Sequence, residues 1–410
     1  MDRDTAVIPA KAGISSGLSA LLPQETPAFA GVTNSAGVTD SPLALYVHWP
    51  FCVSKCPYCD FNSHVREAVD QAMWRDALLK DLAHEAAVLP GMRLGSIFFG
   101  GGTPSLMPPA TVAAVIEAAE RHWGFAADIE ITLEANPSSV EAARFADLAS
   151  AGVNRVSLGL QALDDSALRF LGRAHDAAEG LAALETAQRV FRRVSFDLIY
   201  ALPEQSEEAW AAELRRALGF GTGHLSLYQL TIEPGTRFAA MAARGELAAR
   251  DPDEGAALYE ATQALTEAAG LPAYEISNHA RPGDESRHNL AYWRYRSYAG
   301  VGPGAHGRRG GMATQRHRKP ENWLKALERK GHGIVEESPI SPADAALERL
   351  LMGLRLREGV RVNEVEPALD PRGVARMEAQ GMVRREGGRL SVRPEGMRVL
   401  DRILAEIAAP

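Results

Sequence analysis

Between residue 43 and about residue 230, short apolar runs alternate with longer Ala-rich stretches. The runs at 43–47, 96–99, 129–133, 153–158, 194–199 and 224–230 have the length and composition of buried strands. The stretches at 68–88, 109–122, 139–151, 164–170, 177–191 and 207–218 read as amphipathic helices. A helix joining two strands carries the chain back across the sheet. Neighbouring strands then run parallel, with right-handed crossovers. Six such repeats predict an α/β fold, a barrel or partial barrel with its helices outside. Chemistry in that architecture gathers where the strands end, so each tip should carry something polar or glycine-rich. The tips do so at 48–59, 100–105, 134–137 and 159–161, at Asp197 with Pro203, and at 231–236.

At 410 residues there is room for a large domain and an accessory one, and 46% hydrophobic with 23% charged residues are globular proportions. A net charge of −8 without a basic tract argues against a nucleic-acid or anionic-membrane surface. No apolar run reaches the roughly 18 residues of a spanning helix. In residues 1–42 the charges are Asp2, Arg3, Asp4, Lys11, Glu25 and Asp40, and Ala, Gly, Ser, Thr and Pro fill most of the rest without periodicity. This stretch is expected to be disordered, and is a candidate over-extended translation start. A signal peptide fits less well, because acidic residues flank Arg3 and no sustained apolar core follows. The barrel core is expected over 43–240, a linking region over 241–337 and a C-terminal domain over 338–410. In that last part, helices near 342–356 and 371–380 precede a short β-wing at 382–392. The arrangement reads as a winged-helix-type cap and not as a DNA reader, since it lacks a strong basic face.

The three cysteines, Cys52, Cys56 and Cys59, form one Cys-x3-Cys-x2-Cys run after the first strand. An odd number in a long chain is not a disulfide framework, and reduced thiols suit a reducing cytoplasm. Three readings stay open on spacing. A cubane iron–sulfur cluster has four irons, each wanting an outside ligand, so three thiolates leave one iron for a small molecule. A Cys3His zinc site would be completed by His48 or His64. Inert, buried apolar thiols are the third reading.

The Gly-Gly-Gly-Thr-Pro-Ser run ending at Ser105 lets backbone groups approach a ligand, or simply makes a tight turn. It is not a phosphate-binding loop, because no Gly-Lys-Ser/Thr follows. Glu134 and Gln161 stand at or just beyond strand tips, and Arg173 follows in Leu-Gly-Arg-Ala-His175. Asp197 lies inside Phe196-Asp-Leu-Ile-Tyr200, where an unpaired charge is costly to bury, so it needs a partner or a ligand. Each alone is ambiguous, and a lone Glu134 reads more readily as a helix cap or surface charge; their shared placement on one barrel face is what carries information.

Five runs occur in order: Tyr46-Val-His-Trp-Pro-Phe-Cys52, Phe99-Gly-Gly-Gly-Thr-Pro-Ser105, Leu133-Glu-Ala-Asn-Pro137, Arg155-Val-Ser-Leu-Gly-Leu-Gln161 and Asp197-Leu-Ile-Tyr-Ala-Leu-Pro203. In them the chain resembles the radical S-adenosylmethionine (radical SAM) superfamily, and within it the oxygen-independent coproporphyrinogen III oxidase branch, over residues 43 to about 400. Members that are true oxidases resemble one another in a further cysteine two places after the last cluster ligand, where this chain has Phe61. Instead, His288-Asn-Leu-Ala-Tyr-Trp293 matches the His-Asn-x-x-Tyr-Trp signature of HemW-type heme chaperones.

The resemblance implies a partial (β/α)6 TIM-like radical SAM barrel with a small C-terminal α+β, winged-helix-like accessory domain. It implies that Cys52, Cys56 and Cys59 hold a [4Fe–4S] cluster whose open iron takes the amino and carboxylate groups of S-adenosylmethionine. Tyr46 and Tyr58 would flank that ligand, and Gly101, Gly102 and Thr103 would bind its methionine end through backbone groups. Glu134, Gln161, Arg173 and Asp197 would contact it too, with Thr231 beside them. For heme, His288 is the best candidate axial ligand, with Tyr292 and Trp293 against the macrocycle; the same run also reads as a packed loop under the barrel. His48 is the runner-up, for heme or for proton transfer; His279, His306 and His317 read as structural or exposed.

The implied function is a chaperone handing heme to acceptor proteins, with a flavodoxin- or ferredoxin-type electron donor. A homodimer rests on the resemblance alone. The alternative is decarboxylation of coproporphyrinogen III to protoporphyrinogen IX. A radical enzyme acting on an unrelated substrate is the third option.

Overall fold

The computed structural model describes residues 41–66 and 68–409. The expectation of disorder over 1–42 therefore falls outside the described residues, apart from Ser41 and Pro42. Six parallel strands pair in chain order: β1 (Leu43–Trp49), β2 (Leu94–Gly101), β3 (Phe125–Ala135), β4 (Arg155–Gln161), β5 (Arg193–Tyr200) and β6 (His224–Gln229). The main crossover helices are α1 (Gln71–Val88), α2 (Pro109–Trp123), α3 (Ala177–Val190) and α4 (Glu207–Leu218). Their starts are written locally. The side chains of Asp70, Asp176 and Ser206 each accept a hydrogen bond from the amide three residues on. Helix α2 begins on Pro109, which has no N–H to leave unpaired. The helix expected over 139–151 divides into two short ones, Ser139–Ala142 and Phe145–Ser150.

Alternation along the strands sorts the residues into two faces. Leu45, Val47, Phe99, Leu133, Leu158 and Phe196 join the main core beneath the helices. The residues between them, such as Tyr46, Ser96, Glu130, Ser157 and Asp197, face the barrel interior. A polar interior has to be satisfied. At the base, buried Glu130 pairs with Arg155 (3.2 Å) and Arg193 (2.6 Å). It also accepts from the backbone amides of Arg287 (2.9 Å) and His288 (3.3 Å). Those amides open a short helix, described below, that plugs the base of the barrel.

Residues 241–337 do more than link the two parts. After α5 (Pro252–Ala268) they add β7 (Asn278–Ala280), antiparallel to β6. The plug helix α6 (Arg287–Trp293) follows. Then β8 (Tyr298–Val301) pairs parallel to β1 on its other side, and an antiparallel meander of β9 (His306–Arg309), β10 (Met312–Arg316) and β11 (Ile334–Pro339) completes one 11-stranded sheet. These strands are short, and β9 to β11 carry charged residues, so no apolar alternation announced them. Their arginines are buried as ion pairs instead: Arg316 meets Asp81 (2.6 Å) and Glu85 (2.9 Å), and Arg309 meets Glu85 (2.7 Å), all three acceptor contacts lying on α1. Asp81 also accepts from the amides of Gly302 (3.1 Å) and Gly333 (3.0 Å), and from Trp323 in α7 (Pro320–Lys330).

The C-terminal part has its own core, including Leu350, Val365, Leu390 and Leu404. It contains α8 (Pro342–Gly353), α9 (Pro371–Ala379) and α10 (Leu400–Ile407). Its small sheet of β12 (Val360–Arg361), β13 (Val383–Glu386) and β14 (Arg389–Val392) runs in the order β12–β14–β13. This is the expected winged-helix-like α+β arrangement. Among the described residues no helix is long and apolar enough to cross a membrane.

Candidate functional site

The cysteine loop leaves β1 and is pinched at its neck by a parallel pairing of Phe51–Cys52 with His64–Val65. Within it, the Cys59 amide donates to the Cys56 carbonyl (3.2 Å). The loop is also tied down from outside. The Phe238 amide donates to the Pro57 carbonyl (2.9 Å), and Asn62 donates to the carbonyls of Pro303 (3.0 Å) and Arg318 (2.9 Å). Gly172, at φ +66°, lets its turn press against Pro57; a Cβ there would come within 2.6 Å of the ring. All three cysteines are free and half-buried. Burial pushes the Cys59 thiol up to about 11, and Cys52 also upward, so each needs a cationic partner to ionise near neutral pH.

Three neighbouring strand tips complete the rim. Thr103 donates to Cys52 Sγ (3.5 Å), and Arg173 Nη1 donates to Cys56 Sγ (3.3 Å). Arg173 Nη2 reaches Asn136 Oδ1 (2.6 Å) and the Gly159 carbonyl (3.0 Å), while its buried Nε has no partner. Asn136 also donates to Thr103 Oγ1 (3.2 Å), so it joins the β2 loop, the β3 tip and Arg173. Glu134 accepts from the Gly101 amide (3.3 Å). Gln161 sits at φ +70°, a left-handed conformation rare for a non-glycine residue, where the β4–β5 register shifts. Asp197 accepts from Ser157 (3.3 Å); Ser195 in turn donates to Ser157 (3.0 Å) and accepts from Arg155 (3.5 Å). A polar relay therefore runs from the basal ion cluster up to the rim.

These groups line one cavity of about 1790 Å³. Of the residues singled out in the sequence, Cys52, Cys56, Cys59, Tyr58, Gly101, Gly102, Thr103, Glu134, Gln161, Arg173, Asp197 and Thr231 all lie on its wall. Tyr46 and His288 do not. Tyr46 bonds through its hydroxyl to His48 Nδ1 (2.9 Å), and His48 Nε2 pairs with the Asn62 carbonyl (2.9 Å). Burial lowers His48 to about 4, so it is neutral and acts as a strut for the cysteine loop. His288 is 1% exposed in α6, with Nδ1 paired to Ser96 (3.1 Å) and Nε2 to Tyr292 (3.1 Å). Sequence reasoning missed Asn136, although it quoted Leu133-Glu-Ala-Asn-Pro137 and singled out only the glutamate.

The glycine run serves close approach. Gly102 and Thr103 donate backbone N–H to the carbonyls of Trp49 (2.7 Å) and Phe51 (2.8 Å), so a ligand at this turn meets other groups than these two amides. A Cβ on Gly102 would lie 2.6 Å from the Phe51 carbonyl oxygen and 2.8 Å from its carbon, which is rigid backbone. Gly102→Ala is expected to destabilise the fold by about 1–3 kcal/mol through overpacking. Denaturant titration checks this, and an unchanged midpoint would mean that the neck of the loop yields freely.

The donor set suits an iron–sulfur cluster: Thr103 and Arg173 donate to the Cys52 and Cys56 sulfurs, hydrogen bonds that thiolate ligands of a cluster accept. The unpartnered Arg173 Nε, the glycine turn and the carboxylates of Glu134 and Asp197 supply complementary groups for a zwitterionic ligand beside the thiols.

Known proteins resemble this chain along most of its length. Residues 46–217 match the radical SAM superfamily, and residues 340–399 match the HemN C-terminal domain. A Bos taurus protein, radical S-adenosyl methionine domain-containing protein 1, mitochondrial, is 41% identical over 384 residues, covering 89% of this chain and 87% of that one. Heme chaperone HemW of Escherichia coli (strain K12) is 39% identical over 326 residues, covering 77% and 83%. HemW of Synechocystis sp. (strain ATCC 27184 / PCC 6803 / Kazusa) is 37% identical over 344 residues, covering 80% and 82%. Among solved structures, Escherichia coli coproporphyrinogen III oxidase HemN, a radical SAM enzyme, matches with a TM-score of 0.76 over 89% of each chain at 23% identity. That last likeness establishes the fold.

Proposed function

Because this chain belongs to the radical SAM superfamily and, within it, to the HemW-type proteins, we propose that it is a heme chaperone. It binds heme and passes it to acceptor proteins, with a [4Fe–4S] cluster and S-adenosylmethionine at the strand tips. The observation that supports this most is the cavity. At about 1790 Å³ it is larger than the roughly 300–1,000 Å³ that suits one small ligand. Thiols, carboxylates and Arg173 crowd the rim, and the C-terminal part adds Leu351, Met352, Leu400 and Leu404 to the wall together with the charged Glu348, Arg355 and Asp401.

Cys52, Cys56 and Cys59 would hold the cluster, with Arg173 and Thr103 keeping the thiolates oriented. When bound, the cluster would leave one iron for S-adenosylmethionine and supply an electron to its sulfonium. Glu134 and Asp197 suit the ribose hydroxyls and ammonium, and Arg173 suits the carboxylate. Gln161, Thr231, Tyr58 and the Gly101–Thr103 turn enclose the remainder. Tyr46 contributes from behind, through His48. A cytoplasmic setting and a flavodoxin- or ferredoxin-type electron donor belong to the same proposal.

The experiment is a heme titration of the anaerobically reconstituted chain, followed by absorbance, with a parallel incubation with S-adenosylmethionine, reductant and coproporphyrinogen III. Saturable heme binding without protoporphyrinogen formation is expected. Stoichiometric or faster product formation would replace the chaperone reading with the oxidase one, and absence of heme binding would remove the chaperone reading outright.

A further inference from the structure

Hydrogen bonds aimed at the sulfurs of an iron–sulfur cluster are one of the factors that set its reduction potential. Two of the three cysteine sulfurs accept such bonds, and both donors lead back to one side chain. Arg173 Nη1 donates to Cys56 Sγ (3.3 Å), while its Nη2 donates to Asn136 Oδ1 (2.6 Å). Asn136 Nδ2 donates in turn to Thr103 Oγ1 (3.2 Å), and Thr103 donates to Cys52 Sγ (3.5 Å).

The sense of this relay is dictated from one end. A guanidinium carries N–H donors and no acceptor, so only the amide oxygen of Asn136 can face Arg173. That turns the amide nitrogen toward Thr103. The hydroxyl then receives a hydrogen bond on a lone pair, which leaves its single proton for the sulfur. A flipped amide would set donor against donor at Arg173 and draw the Thr103 proton away from Cys52. Bonds linked in this way also polarise one another.

The backbone under the relay is pinned. The Asn136 amide donates to Glu141 Oε2 (2.9 Å), and the Ser105 hydroxyl donates to the same oxygen. Glu141 is buried, so one carboxylate fixes the β3 tip against the turn that follows β2. The Thr103 amide is held separately, on the Phe51 carbonyl (2.8 Å). What remains to be oriented is the pair of donors, and Asn136 bonds to both.

We infer that Asn136 is a positioning residue for the cluster, aiming Arg173 at Cys56 and Thr103 at Cys52 and thereby raising the reduction potential. The inference rests on the cluster proposed above and adds to it a residue two hydrogen bonds away from each sulfur. Reduction adds negative charge to a cluster, so donors held on its sulfurs favour the reduced form. Donors released from Asn136 favour it less, and the potential falls.

The test is a redox titration of the full, anaerobically reconstituted chain without S-adenosylmethionine, followed by electron paramagnetic resonance. Iron and sulfide are measured alongside. Asn136→Ala is expected to keep the parent's iron and sulfide, since all three cysteines remain, and to shift the midpoint potential to a more negative value. Thr103→Val should shift it the same way by less, and Thr103→Ser, which keeps the hydroxyl, should match the parent. Combining Asn136→Ala with Thr103→Val should give less than the sum of the two shifts, because both break one link. An unchanged potential in Asn136→Ala at full iron content, or a combined shift equal to the sum, overturns the assignment and leaves the cluster standing. If Asn136→Ala does not retain its cluster, the Thr103 variants decide, and equal potentials in Thr103→Val and Thr103→Ser overturn it. A parent protein without iron and sulfide overturns the cluster as well.

Discussion

A chain with Cys56→Ser should emerge from anaerobic reconstitution colourless, with iron and sulfide near background and S-adenosylmethionine binding lost. Cys56 sits in the middle of the loop, and Arg173 Nη1 already donates to its sulfur. A serine hydroxyl keeps that hydrogen bond yet is a far poorer iron ligand than a thiolate. The fold itself should survive, because the loop is held by bonds that do not involve the cysteine. These are the Phe51–Cys52 pairing with His64–Val65, the Pro57 carbonyl on the Phe238 amide, and Asn62 on Pro303 and Arg318. Elemental analysis, visible absorption and a thermal melt of the apo forms check both halves. Finding zinc in the parent protein in place of iron and sulfide would sink the cluster assignment.

Arg316→Met is expected to lower stability by about 3–5 kcal/mol, the usual cost of removing one partner from a buried ion network. Arg316 is 0% exposed and bridges Asp81 and Glu85, leaving two buried carboxylates on α1 with Arg309 as their only nearby guanidinium partner named above. The damage should spread to the site. Asp81 also anchors the Gly302 amide, in the loop that carries the Pro303 carbonyl bonded by Asn62 of the cysteine loop. Arg316→Lys should fall between, since one ammonium cannot span both carboxylates as a planar guanidinium does. Denaturant titration measures the loss. A shift below about 0.5 kcal/mol, the range of an ordinary surface change, would show that the network contributes specificity and not stability.

The barrel was legible because its signal is local and repeated. Each strand from β1 to β6 carries its own apolar run, and each main crossover helix its own start signal, so neither needs knowledge of distant residues. The rim was legible for a related reason: in a parallel barrel, whatever follows a strand lies at one end. That rule placed Glu134, Gln161, Asp197 and the glycine turn on one wall before any contact was known. The five sequence runs added the cluster and its small-molecule partner by resemblance.

The remainder depends on contacts between residues far apart in the chain. Strands β9 and β10 are held by arginines whose partners lie more than two hundred positions earlier, and a charged strand cannot be recognised until those partners are seen. His288 shows the same limit. It looks like a candidate ligand in sequence, and nothing near it says that both ring nitrogens are taken up by protein hydrogen bonds. Composition and periodicity determined the α/β barrel, the thiol trio and the polar strand tips, because those follow from local propensity and strand direction. Tertiary structure alone decided that the plug helix seals the base and that the C-terminal helices complete the cavity wall. It also decided which imidazoles are taken up by protein hydrogen bonds, because burial and pairing belong to the packed chain as a whole.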